Sequence, residues 1–309
     1  MLQATESLLP IILLVILGST LSAKSFLTRE VRIGMDKFTY WIALPSLFIH
    51  SLAGTDFSEL AAGGLVLILG ASAVTTCLLA LGVAWSMKLP KEVFGVFVQA
   101  TLRGNLAFVG LPLIIFALNG DMTSELISEA LLALAALIPL YNIVSIFLLL
   151  GARQKITLAM LPHMLAQLAK NPLIISAAGG GLMGWFDMTL PVIVDRPLEL
   201  LGQTALALAL VSLGGALVQL EIRGNIRLAV VASVLKVAVV PVVTFGLGMA
   251  INLPENQMFI AMIFSACPTA AASYIMTTQL GGDNALAATA IIVSTLLSMV
   301  ALSLILFLF

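Results

Sequence analysis

Residues 99–116 read QATLRGNLAFVGLPLIIF. The stretch is apolar enough to lie in hydrocarbon, yet Arg103, Gly104, Asn105, Gly110 and Pro112 fall within ten residues of one another. Proline lacks a backbone donor and its ring clashes with the preceding turn, so a helix through Pro112 is kinked or broken. A break exposes backbone polar groups that lipid cannot satisfy, so it survives only inside protein or beside a water-filled cavity. A second such segment, AMIFSACPTAAASYIMTTQL at 261–280, has Pro268 at its centre. Two interrupted helices in corresponding places of two halves are the sequence pattern of a secondary transporter's binding site.

Composition sets the frame for that reading. Of 309 residues, 61% are apolar and only 9% charged, with a mean hydropathy of +1.16. Soluble chains carry about a quarter charged residues. Apolar runs of about 20 residues, enough to cross about 30 Å of hydrocarbon, follow one another with short connections. The expectation is an all-α polytopic membrane protein forming one membrane domain over 1–309. Ten spans are read at about 8–26, 38–53, 61–85, 94–118, 127–150, 171–186, 197–219, 226–251, 257–280 and 285–309. No basic residue precedes the first of them, which reads as a retained helix rather than a cleaved signal. Cys77 and Cys267 both fall within spans and are expected as free thiols.

Charge fixes the expected orientation. Connections on one side carry Lys24, Arg29, Arg32, Lys37, Lys88, Lys91, Arg153, Lys155, Lys170, Arg223 and Arg227; the other side has Arg196 alone, among Asp56, Glu59, Asp121, Glu125, Asp187, Asp195 and Glu255. Basic loops stay cytoplasmic, so both termini are expected outside. Ten spans divide into two sets of five, and an odd number inverts the second set relative to the first. Pro10 answers Pro172 and Pro112 answers Pro268 at similar offsets, which points to inverted repeats with spans 4 and 9 crossing. The glycine patches at Gly179–Gly181 and Gly214–Gly215 read as close-packing surfaces.

Each proline is expected to open a second half-helix, so that two helix N-termini, each worth about half a positive charge, converge near the midplane. Such a place suits a carboxylate or another anion. The carbonyl ends of the first halves want a cation or hydrogen-bond donors. Two charged side chains, Arg103 and Lys236, stand well inside spans, with no buried Asp or Glu to pair with them. Lys236 is expected as a structural counter-charge to a helix end. For Arg103 the counter-charge role, substrate contact and snorkelling toward the cytoplasm all stay open. An amide in lipid needs a partner, which makes Asn105 and Asn142 candidates to face each other or the crossing. Thr269, Ser265 and Tyr274 join them as candidate substrate contacts, with Gln99, Thr101 and Ser273 weaker because hydroxyls often bond their own helix. His50 reads as a capped interfacial residue, and His163 lies in a cytoplasmic connection.

Other chemistries find no footing. There is no Walker-type glycine loop, and neither an HExxH nor a GxSxG motif. No enzyme activity, cofactor, metal site or nucleic-acid partner is expected.

The segments YWIALPSLFIHSLA (40–53), RGNLAFVGLPL (103–113), NPLII (171–175) and ACPTAAASYIMTTQLGGDNALAATAIIVST (266–295) together resemble the auxin efflux carrier family. The similarity is to its bacterial branch, which includes malonate and malate permeases, and it covers nearly all of the chain. It implies the ten-span inverted repeat shared with sodium/bile-acid symporters. It also implies a scaffold of spans 1, 2, 6 and 7 (about 1–60 and 171–225), a moving transport unit of spans 3–5 and 8–10 (about 61–150 and 226–309), elevator-type movement and a homodimer. By motif, Asn105 matches the family's substrate asparagine and Asn142 its fifth-span position. Pro112 and Pro268, with Gly110 and Cys267 beside them, match its crossover. Plant members carry an asparagine where this chain has Cys267, so a preference for indole-acetate does not carry over. The function expected is secondary transport of a small organic anion, a mono- or dicarboxylate, across the bacterial cytoplasmic membrane. The alternatives are a sodium-coupled symporter of the bile-acid type and a non-transporting membrane sensor. Coupling to Na+ or H+ is left open.

Overall fold

A computed structural model describes the backbone of residues 2–53, 55, 62–118, 124–151, 166 and 169–309. The described residues form helices and no strand. In chain order these are α1 (Leu2–Ala23), α2 (Arg29–Phe38), α3 (Leu44–Ala53), α4 (Ala62–Ser86), α5 (Lys91–Leu102), α6 (Leu111–Ala117), α7 (Glu125–Gly151), α8 (Pro172–Trp185), α9 (Val192–Gln219), α10 (Ile226–Val234), α11 (Val240–Ala250), α12 (Glu255–Ala266), α13 (Ala272–Leu280) and α14 (Asn284–Leu308). Among the described residues five stretches are long and apolar enough to cross a membrane: α4, α7, α9, the continuous run Ile226–Ala250, and α14. Leu9–Ala23, Leu106–Ala117 and Pro172–Trp185 are shorter apolar helices. Their outward faces are oily, with Leu78 64% and Val300 71% exposed. Such faces would be a liability in water and are at home in acyl chains.

Among the described residues three π-turns link helices end to end: Thr39–Ala43 into α3, Leu106–Gly110 into α6, and Leu235–Val239 into α11. Each is followed by a proline at the second position of the next helix, namely Pro45, Pro112 and Pro241. The sequence alone predicts a break at Pro112. The structure corrects this: the chain widens by one residue for a turn, which relieves the clash between the proline ring and the carbonyl four residues back. The helix continues through Pro112, and the true interruption lies upstream, at Arg103–Asn105.

The chain groups into two compact units. The first comprises Met1–Ala62, Ala107–Ala135 and Pro162–Gln219. Its axis is the α1–α9 pair, whose backbones nearly touch. A Cβ on Gly18 would lie 2.0 Å from the Val211 carbonyl oxygen, and one on Gly214 would lie 2.0 Å from that of Val15. The Ser19 hydroxyl then donates to the Gly214 carbonyl at 3.0 Å. At one end of the pair Arg32 joins Gln219 (2.8 Å) and Asp36 (2.9 Å), while Gln219 donates to Ser22 and to the Leu27 carbonyl. Towards the start of α9, His50 on α3 meets Asp195 at 2.6 Å. His163 lies outside the described residues.

The second unit comprises Gly63–Leu106, Ala136–Leu161 and Leu220–Phe309. Its core joins α4, α5, α7, α10 and α14 through Ala80, Phe97, Leu149, Ala229 and Ala290. Ser72 on α4 and Thr244 on α11 share a buried hydrogen bond at 2.7 Å. Cys77 and Cys267 are free thiols.

The α1–α9 contact predicts a steep asymmetry among the glycines. Gly214→Leu should lower the melting temperature of the detergent-purified protein by several degrees or prevent its recovery, because overpacking costs about 1–3 kcal/mol or more. Gly179, around which a Cβ meets nothing within 4 Å, should tolerate leucine with little change. Equal melting of the two variants would contradict the close approach.

Candidate functional site

The second unit contains the point where two helices stop and start again. Helix α5 ends at Leu102 and helix α12 at Ala266, and the residues that follow each are extended rather than helical. Arg103 has φ −84° and ψ 99°; Cys267 has φ −55° and ψ 143°. Extended backbone at membrane depth would leave its peptide groups bare. Here the two breaks satisfy each other. The Asn105 amide donates to the Pro268 carbonyl at 2.8 Å and the Ala270 amide donates to the Arg103 carbonyl at 2.9 Å. The result is a one-step antiparallel bridge between Gly104 and Thr269.

Side chains complete the stitching. Thr269 donates its hydroxyl to the Ala100 carbonyl at the end of α5 (2.7 Å), and its amide donates to the Ser294 hydroxyl on α14 (3.0 Å). Lys236, in the π-turn Leu235–Val239 and 1% exposed, donates from Nζ to the Ser265 carbonyl at the end of α12 (2.7 Å). Gly104 leaves room for it: a Cβ there would lie 3.3 Å from Nζ. Cys267 is fully buried, and its thiol donates to the Ile263 carbonyl (3.3 Å).

The candidate residues thus fall into distinct groups. Thr269, Lys236, Pro268 and Cys267 are gathered at the bridge and hold backbone. Ser265 gives its carbonyl to Lys236 and its hydroxyl to the Met262 carbonyl of its own helix. Arg103 reaches the Met276 sulfur on α13, and Gln99 reaches the same sulfur and the Thr277 hydroxyl. Thr101 bonds the Phe97 carbonyl of its own helix. Gly110 closes the π-turn before Pro112, away from the interruption.

Asn105 is different. Its backbone is bonded, yet its side chain, 6% exposed, has no hydrogen-bond partner among the described residues. The Ser273 hydroxyl, also buried, has none among them either. Asn142, half-buried on α7, likewise makes no side-chain hydrogen bond among the described residues. Its neighbour Tyr141 lines a cavity of about 120 Å³ with Ala73, Val74, Cys77, Leu78, Leu102, Leu140 and Val144, all apolar on the cavity side. Tyr274 is half-buried near the core packing of α5.

Sequence reasoning overlooked Ser294 and Met276, and it placed Gly104 in the interrupted stretch without making it a site residue. Gly104 had a signal, a glycine between two polar residues in an apolar span, whereas Ser294 looks like any serine in a helix. The expectation that no acid is buried also needs correcting. Glu129, one turn into α7 in the first unit, is 6% exposed.

Ser294 supplies a sharp test of the bridge. Ser294→Ala strands the buried Thr269 amide and should cost about 1–3 kcal/mol of stability in a detergent melt. Ser298→Ala removes a hydroxyl bonded only to its own helix and should cost far less. A reversed order would mean the amide is satisfied otherwise.

The sequence profile of the family described as "Membrane transport protein" matches residues 3–306. No curated protein matches the chain.

Proposed function

The chain belongs to the membrane transport protein family, that of the auxin efflux carriers, and from that premise we propose that it is a secondary carrier of a small organic anion, a mono- or dicarboxylate. One observation carries the choice of cargo: the Asn105 side chain, held at a break between helices, makes no hydrogen bond among the described residues. An amide side chain and the nearby Arg103 make a pair that a carboxylate complements.

The rest of the proposal follows from the family and the charge pattern. The carrier spans the bacterial cytoplasmic membrane ten times, as two inverted five-helix repeats whose fourth and ninth spans cross, with both termini outside. Spans 1, 2, 6 and 7 form the scaffold of a homodimer, and spans 3–5 and 8–10 move past it as an elevator. An inside-negative potential contributes about 2.3 kcal/mol per charge per 100 mV, so uncoupled carriage of an anion runs outward.

Counterflow in proteoliposomes tests the reading. Vesicles preloaded with one of a panel of short mono- and dicarboxylates should accumulate the same labelled compound for at least one member. Asn105→Ala should reduce that exchange at least about tenfold, the size of one lost hydrogen bond to a charged group, while melting like the wild type. No exchange across the panel, or full exchange by a well-folded Asn105→Ala protein, would overturn it.

A further inference from the structure

We propose that Met276 is a positioning residue for the cargo: its thioether holds the Arg103 guanidinium at the break without consuming the charge that a carboxylate pairs with. This deepens the carrier reading above and rests on it for the guest. The hold itself is tested with no guest present.

The backbone of Arg103 is fixed before its side chain is considered. Its amide donates to the Gln99 carbonyl at 2.9 Å, and its carbonyl accepts from the Ala270 amide at 2.9 Å. From that fixed point leaves a long side chain with many rotamers, and a guanidinium that samples them all is poorly preorganised for a ligand. Its Nη1 donates to the sulfur of Met276, half-buried on α13. The sulfur is held in turn. Gln99, fully buried on α5, donates from Nε2 to the same sulfur at 3.9 Å and accepts at Oε1 from the Thr277 hydroxyl at 3.2 Å. Thr277 is fully buried as well. The run Thr277–Gln99–Met276–Arg103 therefore ties α13, which begins after the second break, to the side chain that leaves the first.

The chemistry of the acceptor decides what this hold can do. A guanidinium carries five N–H donors in a rigid fork. A carboxylate in place of the sulfur would take two of them at once and cancel the charge. An anionic cargo would then have to displace it. A purely apolar side chain would leave the fork without direction. A thioether lies between the two: it is polarisable, uncharged and a weak acceptor. It fixes one nitrogen and takes none of the charge.

Two measurements on the full-length protein test this. The first uses detergent-purified protein with isotope-labelled methionine methyl groups and no carboxylate added. Met276→Leu identifies the Met276 resonance among those of the 13 methionines. Arg103→Gln should move that resonance further than any other methionine peak. Arg103→Lys, which keeps the charge and loses the fork, should move it too and serves if the neutral variant does not fold. A Met276 resonance that stays in place when Arg103 is changed overturns the proposal whatever the chain carries.

The second measurement is counterflow with a carboxylate that the wild type exchanges. Met276→Leu keeps the volume and loses the acceptor. It should raise the concentration for half-maximal exchange about three- to tenfold, the scale of one coupled contact, with the maximal rate within about twofold of wild type. Met276→Gln, whose amide oxygen accepts from a guanidinium, should recover most of that loss. Met276→Glu, which cancels the charge, should fold and weaken exchange at least about tenfold. A methionine that serves packing alone would instead lower the melting temperature and the maximal rate of Met276→Leu, and glutamine would not rescue it. That outcome, or unchanged half-saturation in Met276→Leu, overturns the proposal. Absence of exchange by the wild type removes the carrier reading, and the methyl resonance alone then decides whether Met276 holds Arg103.

Discussion

Two reciprocal backbone hydrogen bonds, Asn105 to Pro268 and Ala270 to Arg103, are the constraint on which the second unit depends. An interrupted helix is among the most costly features a membrane protein can contain, because lipid offers no donor or acceptor to the peptide groups set free. Here one interruption is the solvent of the other. Neither break is tolerable alone, so both must form together and keep the same partners. The side chains around them, Thr269, Ser294 and Lys236, take up the groups that the bridge leaves over. Beside the bridge, the Ser273 hydroxyl is buried without a partner and the Asn105 side chain makes no hydrogen bond among the described residues, which leaves polar groups for a guest to meet.

The prolines show how the same backbone problem is handled without a break. At Pro45, Pro112 and Pro241 the helix absorbs the missing donor by widening into a π-turn and then resumes. At Pro268 it does not resume until Ala272. The residues around each proline account for the contrast. Pro268 follows Cys267 and precedes Thr269, whose hydroxyl and amide have acceptors on other helices waiting for them. Where no neighbouring helix offers such partners, keeping the hydrogen-bond ladder by shifting its register is the cheaper solution. The π-turn at Leu235–Val239 has a second consequence, because it aims Lys236 at the end of α12.

Much of this could be read from residue types and spacing, and the limits of that reading are physical. Apolar periodicity and the scarcity of charge identify a multi-pass membrane protein of the family matched over residues 3–306. The polar cluster Arg103–Gly104–Asn105 marked the interrupted region correctly, but assigning the break to Pro112 was wrong. Proline removes one donor from a helix; it does not say whether the chain will open or merely widen, which depends on partners distant in sequence. The same distance hid Ser294, 25 residues from the amide it accepts. Glu129 went unnoticed as a buried acid because burial near a helix end is decided by what packs there, not by position in the span.

The electrostatics of the crossing can then be argued from its parts. Helix ends contribute fractional charges whose sign depends on direction: carbonyl ends attract cations, amide ends attract anions. Two breaks side by side bring both kinds together, and a site that served only the anion would leave the carbonyl ends bare. Lys236 covers one of them from inside the protein, and Thr269 covers the other at Ala100. With the negative ends already engaged by a lysine and a hydroxyl, the balance of what is left at the break tilts positive. An arrangement of this kind selects for a negatively charged guest before any side chain recognises its shape.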